Sequence, residues 1–150
     1  ITIDVTKNFH AVEHRIEKVD TIDGVVYYND SKGTNTDASI KAIKAMSRPT
    51  LLIAGGYDKN SPYDDFIESF DWKIKELVLI GATSEKIKAC ALEHGFTNIK
   101  MADSLEEAVS ICKADSENGD AVLLSPACAS WDMFKSYEQR GRLFKDLVKG

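Results

Sequence analysis

The chain has 150 residues, a net charge of −5 and 43% apolar residues, a composition that supports one folded domain with a buried core. No apolar run approaches the roughly 18 residues that a membrane-spanning helix needs, so we expect no membrane partner. The acidic balance argues against nonspecific binding to nucleic acid, which requires a basic face.

The cysteines Cys90, Cys112 and Cys128 predict neither a disulfide framework nor a zinc site. Their number is odd, they form no Cys-x-x-Cys pair, and His10 and His14 lie far from them in the sequence. We therefore expect reduced thiols, a cytoplasmic location and no metal ligand within this chain.

A β-hairpin is predicted between His14 and Asp30. Asp23-Gly24 separates two strand-like runs, the second of which is Val25-Val26-Tyr27-Tyr28. Asp-Gly is the strongest short hairpin signal, because both turn residues must adopt positive φ.

A polar loop over residues 29–35 follows the hairpin and leads into a helix. Apolar residues recur at helical spacing from Ala38 to Met46, and Pro49 ends the pattern. Thr34 is predicted as the N-cap of this helix, with Asp37 completing a capping box.

Two buried strands come next, over residues 50–54 and 77–81, and each is followed by a predicted helix. The first of these helices is expected to open at Ser61-Pro62, with Ser as N-cap and Pro at the first helical position. The second is expected over residues 84–94, with Gly95 as its C-cap.

The last third of the chain repeats this alternation. A short strand over residues 98–101, a capping box at Ser104–Glu107 and a buried strand over residues 121–125 precede a helix expected to begin near Ser130. Continuous apolar strands that alternate with amphipathic helices indicate a parallel sheet covered on both faces. The predicted fold is therefore α/β, Rossmann-like and doubly wound, with an antiparallel hairpin at one edge.

Ligands bind open parallel sheets at the carboxyl ends of the strands, where three loops of this chain carry polar and small residues. These loops cover residues 29–35, 55–60 and 125–130. The first precedes a helix N-terminus, which favours an anion, although helix capping with a solvated lysine would explain most of its residues. Neither a G-x-x-x-x-G-K-[ST] nor a G-x-G-x-x-G motif occurs, so the chain has no P-loop and no dinucleotide fingerprint.

Four segments together resemble the carboxyl-terminal domain of the Mur ligases. They are His14–Glu17, Asn29–Asn35, Gly55–Lys59 and Ser125–Phe134. The Ser-Pro-Ala-Cys-Ala-Ser run, with Glu138-Gln139-Arg140-Gly141 after it, is most similar to the member that adds D-glutamate.

The resemblance implies a cytoplasmic, ATP- and Mg²⁺-dependent ligase of peptidoglycan synthesis. Such an enzyme joins D-glutamate to UDP-N-acetylmuramoyl-L-alanine through an acyl phosphate. Residues 1–150 would form its third, amino-acid-binding domain, and the UDP-binding and central ATPase domains would lie outside this chain. The missing P-loop and the start at Ile1 rather than Met agree with a piece of a longer protein. We expect the isolated domain to be inactive.

The resemblance also implies roles for individual residues. Arg15 and Asp30 would reach the nucleotide, and Lys32 would be catalytic, near the phosphate and the incoming amino acid. D-Glutamate would be held by Thr34, Lys59, Ser130, Trp131 and Tyr137. The family pattern has phenylalanine at the last of these positions.

Two other hypotheses about the function of the chain stay open at this point. The chain could be the same domain of a Mur ligase that adds a different amino acid or peptide. It could also be a stand-alone α/β module that binds an anionic metabolite.

Overall fold

The structure, a computed structural model, describes residues 14–57, 62–128, 130 and 134–150. The strands found there are β1 (Glu17–Ile22), β2 (Val25–Asn29), β3 (Thr50–Ala54), β4 (Ile74–Leu79), β5 (Ile99–Met101) and β6 (Ala121–Leu124). The helices found there are α1 (Thr36–Ala45), α2 (Asp64–Glu68), α3 (Ser84–Glu93), α4 (Leu105–Asp115) and α5 (Tyr137–Lys149).

The strands form one sheet in the order β1-β2-β6-β3-β4-β5. Strand β1 pairs antiparallel with β2, and the neighbours from β2 to β5 all pair parallel. Within the described ranges, no helix combines the length and hydropathy needed to cross a bilayer. The predicted α/β fold, mostly parallel with one antiparallel edge, is confirmed.

The hairpin forms where the Asp-Gly signal placed it. Asp23 has φ of 53° and Gly24 has φ of 78°, so both turn residues lie in the left-handed region. Gly24 is also close to the Asn118 side chain, and a Cβ at this position would clash with it. Turn geometry and packing therefore both require glycine here.

Alternate residues of the central strands face opposite sides of the sheet and build two cores. Leu52 and Leu79 pack under α1, α2 and α3, with Ile43 and Phe66 among the helical partners. Leu51 and its counterparts on the other face pack under α4 and α5. Each fully buried aliphatic side chain contributes about 1.5–3 kcal/mol, so both helix layers are held mainly by apolar burial.

Three predicted helix starts are wrong. Helix α1 is capped by Asn35, whose side chain accepts a hydrogen bond from Ala38 N at 2.9 Å, and not by Thr34. Thr34 N instead donates to Lys32 O at 2.8 Å, which keeps Thr34 in the loop. Asparagine and threonine are both good N-caps, so composition alone could not choose between them.

The other two corrections concern α2 and α5. Helix α2 begins after Tyr63, which makes no side-chain cap, and Pro62 precedes the helix; Ser61 lies outside the described residues. Helix α5 is capped by Ser136 rather than Ser130. Ser130 O accepts a hydrogen bond from Phe134 N, and α5 begins after the Ser136 cap.

The strand order explains where a ligand can bind. Strands β2, β6 and β3 are adjacent, so the loops that leave their carboxyl ends are adjacent too. The chain leaves β3 toward α2 on one face and leaves β6 toward α5 on the other. This divergence makes a topological switch point, where open α/β sheets bind their ligands.

Candidate functional site

Asp30 lies at the centre of the switch point and is only 3% exposed. Its Oδ1 accepts a hydrogen bond from Ile16 N at 3.1 Å, and its Oδ2 accepts from Ser125 Oγ at 2.7 Å. Ser39 Oγ lies 2.8 Å from Ser125 Oγ and donates to Ser125 O at 3.2 Å. The carboxyl group is therefore the end of a buried hydroxyl network that joins β2, α1 and β6.

Burial raises the pKa of Asp30 to about 6, against the lowering effects of the Ser125 and Ile16 hydrogen bonds and of Arg15 and Arg140. A carboxylate can accept about four hydrogen bonds, and the donors Ile16 N and Ser125 Oγ leave capacity for more. The ionised form is costly in this setting and would be stabilised by further donors from a ligand, such as sugar hydroxyls.

A cavity of about 300 Å³ opens beside Asp30. Its lining is rich in charged side chains and includes Arg15, Asp30, Lys32, Asp37 and Lys41. Three of the lining groups are cations, and the cavity lies against the first turn of α1, where free N–H groups favour an anion. Of the predicted site residues, Arg15, Asp30 and Lys32 are brought together here.

Gly33 lets the first loop close over Asp30. A Cβ at Gly33 would lie 2.6 Å from Asp30 Oδ2 and 2.9 Å from Ser125 Oγ, closer than real Cβ contacts. Lys32 and Thr34 on either side of Gly33 are half-buried. Lys32 N donates to His14 O at 2.9 Å, so the loop backbone is fixed and only the Lys32 side chain is left to reach the cavity.

The third loop ties the first two together through consecutive residues. Pro126 O accepts from Gly55 N at 2.9 Å, and Ala127 N donates to Gly33 O at 2.9 Å. Ala127 adopts a φ of 62°, which turns its N–H toward the first loop. Main-chain hydrogen bonds thus hold the three strand-end loops in one arrangement.

The predicted amino-acid-binding residues are only partly described. Ser130 is 3% exposed and ends the third loop. Tyr137 is the first residue of α5, and its ring meets that of His14 edge-on at 6.0 Å. Lys59 and Trp131 lie outside the described residues.

Arg140 holds the first and third loops together, a role that the sequence motif alone did not predict. It is 1% exposed, and its guanidinium donates to Ser31 Oγ at 2.9 Å, Ser31 O at 2.8 Å and Cys128 O at 3.2 Å. Ser31 Oγ donates in turn to Tyr137 O at 2.6 Å. The signal was present, because Arg140 precedes Phe144 and Val148 at helical spacing on the buried side of α5.

Gly141 gives α5 its close approach to the first loop. A Cβ there would clash with the His14 ring and would lie 3.1 Å from Asn29 Nδ2. Asn29 Nδ2 donates to His14 Nδ1 at 2.8 Å, so a buried polar pair occupies the space that a side chain would need.

The family model described as "Mur ligase, glutamate ligase domain" matches residues 14–128. Curated relatives named UDP-N-acetylmuramoylalanine–D-glutamate ligase include that of Lachnospira eligens, 61% identical over 99% of this chain and 33% of its own length. That of Clostridioides difficile is 52% identical over 97% of this chain and 32% of its own length. The chain therefore spans about a third of the curated relatives it matches.

Solved structures show the same fold at low identity. A UDP-N-acetylmuramate-alanine ligase from Thermotoga maritima aligns with a TM-score of 0.64 and 12% identity, over 97% of this chain and 32% of that one. A bifunctional folylpolyglutamate synthase/dihydrofolate synthase from Yersinia pestis also gives 0.64 and 12%, over 91% of this chain and 32% of that one.

Proposed function

The chain belongs to the Mur ligase family, and from that premise we propose that it is the amino-acid-binding domain of a D-glutamate-adding ligase. The whole protein would join D-glutamate to UDP-N-acetylmuramoyl-L-alanine in cytoplasmic peptidoglycan synthesis. The observation that carries the proposal is the cavity that unites Arg15, Asp30 and Lys32 at the switch point.

The nucleotide side of the site is assigned to Arg15 and Asp30. The Asp30 carboxylate has acceptor capacity for ribose hydroxyls, and the Arg15 guanidinium is a cation suited to the nucleotide. ATP would supply the phosphoryl group that activates the acceptor carboxylate, and Mg²⁺ would balance its charge. The magnesium ligands are expected mainly in the central domain, outside this chain.

Lys32 is assigned the electrostatic role in the reaction. It lines the same cavity as Asp30, so its ammonium can lie near the acyl phosphate when the domains close. Negative charge builds up as the D-glutamate amine attacks and phosphate leaves. A fixed cation in a site that excludes water stabilises that charge more than it stabilises the ground state.

D-Glutamate is assigned to residues of all three strand-end loops and the start of α5. A dicarboxylate needs cations and O–H or N–H donors at fixed separation, which Thr34, Lys59 and Ser130 provide. The backbone at Trp131 and the ring of Tyr137 would complete the contact. The hydrogen bonds that Pro126 O accepts from Gly55 N and that Ala127 N donates to Gly33 O support this assignment, because they hold the loops at a fixed separation.

The proposal is tested with the full-length protein and a panel of amino acids. Phosphate release from ATP should require both UDP-N-acetylmuramoyl-L-alanine and D-glutamate. L-Glutamate, L-alanine and a diamino acid should each support far less release. Preference for another amino acid would assign the chain to a different member of the family, and phosphate release without any UDP-substrate would contradict the proposed reaction.

A further inference from the structure

A cluster of three potential metal ligands lies away from the switch point, between α2 and α3. Asp64 is the first residue of α2, and Cys90 and His94 are four residues apart at the end of α3. Residues at i and i+4 share one face of a helix, so both side chains point at the same neighbour. The ligand atoms of the three residues all lie within 4.8 Å of one another.

One separation within this cluster matches tetrahedral zinc, and a second is shorter than zinc would require. Zn–N, Zn–O and Zn–S bonds of about 2.0–2.3 Å at tetrahedral angles place nitrogen and oxygen about 3.4 Å apart and sulfur and oxygen about 3.6 Å apart. Cys90 Sγ lies 3.6 Å from Asp64 Oδ1, and His94 Nε2 lies 2.9 Å from the same oxygen. An opening of about 0.5 Å between His94 and Asp64 would admit the ion.

The surroundings favour a cation and leave room for a fourth ligand. Glu93 precedes His94 in the chain and Glu68 lines the cavity beside it, so the cluster has further carboxylates near it. A cavity of about 310 Å³, lined also by Glu68, Phe70 and Phe96, borders the His94 side. Side-chain exposures of 30% for His94 and 63% for Asp64 make the cluster accessible from solvent.

A cysteine nucleophile is a poorer explanation of the same residues. The Cys90 thiol donates to the Asp64 carboxylate rather than to the imidazole that would have to activate it.

We propose that Asp64, Cys90 and His94 form a binding site for a borderline-soft divalent cation of the Zn²⁺ class, with water as the fourth ligand. Thiolate and imidazole ligands select this class over Mg²⁺, so the site is separate from the magnesium requirement of the ligase reaction. The ion would cross-link the start of α2 to the end of α3. The expectation of no zinc site rested on the odd number of cysteines and on their distance from His10 and His14. It did not take the Cys90-x-x-x-His94 spacing into account.

Cobalt(II) titration of the tag-free 150-residue chain tests the site directly, because a Co²⁺–thiolate bond gives a charge-transfer absorption band. The wild-type chain should develop this band with one-to-one saturation, and excess Mg²⁺ should leave it in place while Zn²⁺ removes it. Cys90→Ser should abolish the band. His94→Gln and Asp64→Asn should each weaken Co²⁺ binding at least about tenfold, the scale on which metal-site partners act.

Two control variants separate this site from other thiols and charges. Glu85→Gln removes an exposed carboxylate from the same helix, and Cys112→Ala removes a buried thiol on the other face of the sheet; both should keep the band. Absence of the band in the wild-type chain would overturn the proposal, as would a band that persists in Cys90→Ser. Neither result bears on the ligase proposal, which uses none of these residues.

Discussion

The Asp30 carboxylate and the Ser125 hydroxyl lie 2.7 Å apart, although 95 positions separate them in the chain. The hydrogen bond connects the ends of β2 and β6, which are neighbours in the sheet. It also places the buried acid at the edge of the cavity that we assign to the nucleotide. Burial in the folded chain therefore favours the protonated form of Asp30, whereas a ligand that donates hydrogen bonds would favour the ionised form.

Asp30→Asn should make the isolated chain more stable than the wild type, and this advantage should grow as the pH rises. The folded-state pKa of about 6 lies above the unfolded value near 3.8, so this group's contribution is fully present below about pH 4 and is lost through about pH 6. The loss is on the order of 3 kcal/mol at about 1.4 kcal/mol per pKa unit. Asparagine is neutral and can donate to Ser125 Oγ while Oδ1 still accepts from Ile16 N.

Urea unfolding of both proteins between about pH 4 and 7 measures this effect as a difference in free energy of unfolding. The free energy of unfolding of Asp30→Asn should exceed that of the wild type by a margin that grows as the pH rises. Asp37→Asn is the charge-matched control, because it removes a negative charge from the same cavity and leaves the buried network intact. Wild-type and Asp30→Asn values that stay parallel over the whole range would refute the prediction.

Arg140→Met should destabilise the chain by at least about 2 kcal/mol. The change leaves the carbonyl oxygens of Ser31 and Cys128 buried without the guanidinium that donates to them, and each orphaned group costs about 1–3 kcal/mol. Arg142→Met is the matched control, because Arg142 is exposed on the same helix. Urea unfolding should separate the two variants, and equal stabilities would mean that Arg140 does not hold the loops together.

The parts of the fold that depend on local patterns could be predicted from the sequence. The Asp23-Gly24 turn is set by the φ angles of its own two residues, and apolar runs are sufficient to identify β3 and β6. Helix starts were harder, because Asn35 competes with Thr34, and Ser136 with Ser130, as chemically similar caps. Only tertiary hydrogen bonds decide between such neighbours.

The candidate site could be predicted as a set of loops but not as a network. Strand order follows from which strands pair, and the sequence contains no direct record that β6 lies between β2 and β3. The contacts of Arg140 with Ser31 span 109 positions, so no spacing rule could reveal them. The Cys90–His94 spacing, by contrast, was readable as a helix i, i+4 pair once α3 was predicted.

Lys32→Ala in the full-length protein should lower kcat by about 10²–10³ and change the KM for the UDP-substrate much less. The expected reason is loss of a cation that stabilises charge developing in the transition state. Steady-state kinetics at saturating ATP measures both constants. Lys44→Ala, an exposed lysine of α1, is the control and should leave both unchanged. A raised KM for the UDP-substrate with normal kcat would instead assign Lys32 to ground-state binding.

The KM for D-glutamate in a full-length Lys59→Ala variant tests most directly whether this chain binds the amino acid. Removing one partner of a largely desolvated charge pair costs about 2–5 kcal/mol, which corresponds to a KM raised at least about tenfold. The KM values for ATP and the UDP-substrate should move much less. Lys59→Arg should rescue only in part, since a planar guanidinium replaces a compact ammonium. Lys88→Ala serves as a lysine control on α3. An unchanged D-glutamate KM in Lys59→Ala, at unchanged stability, would contradict the account.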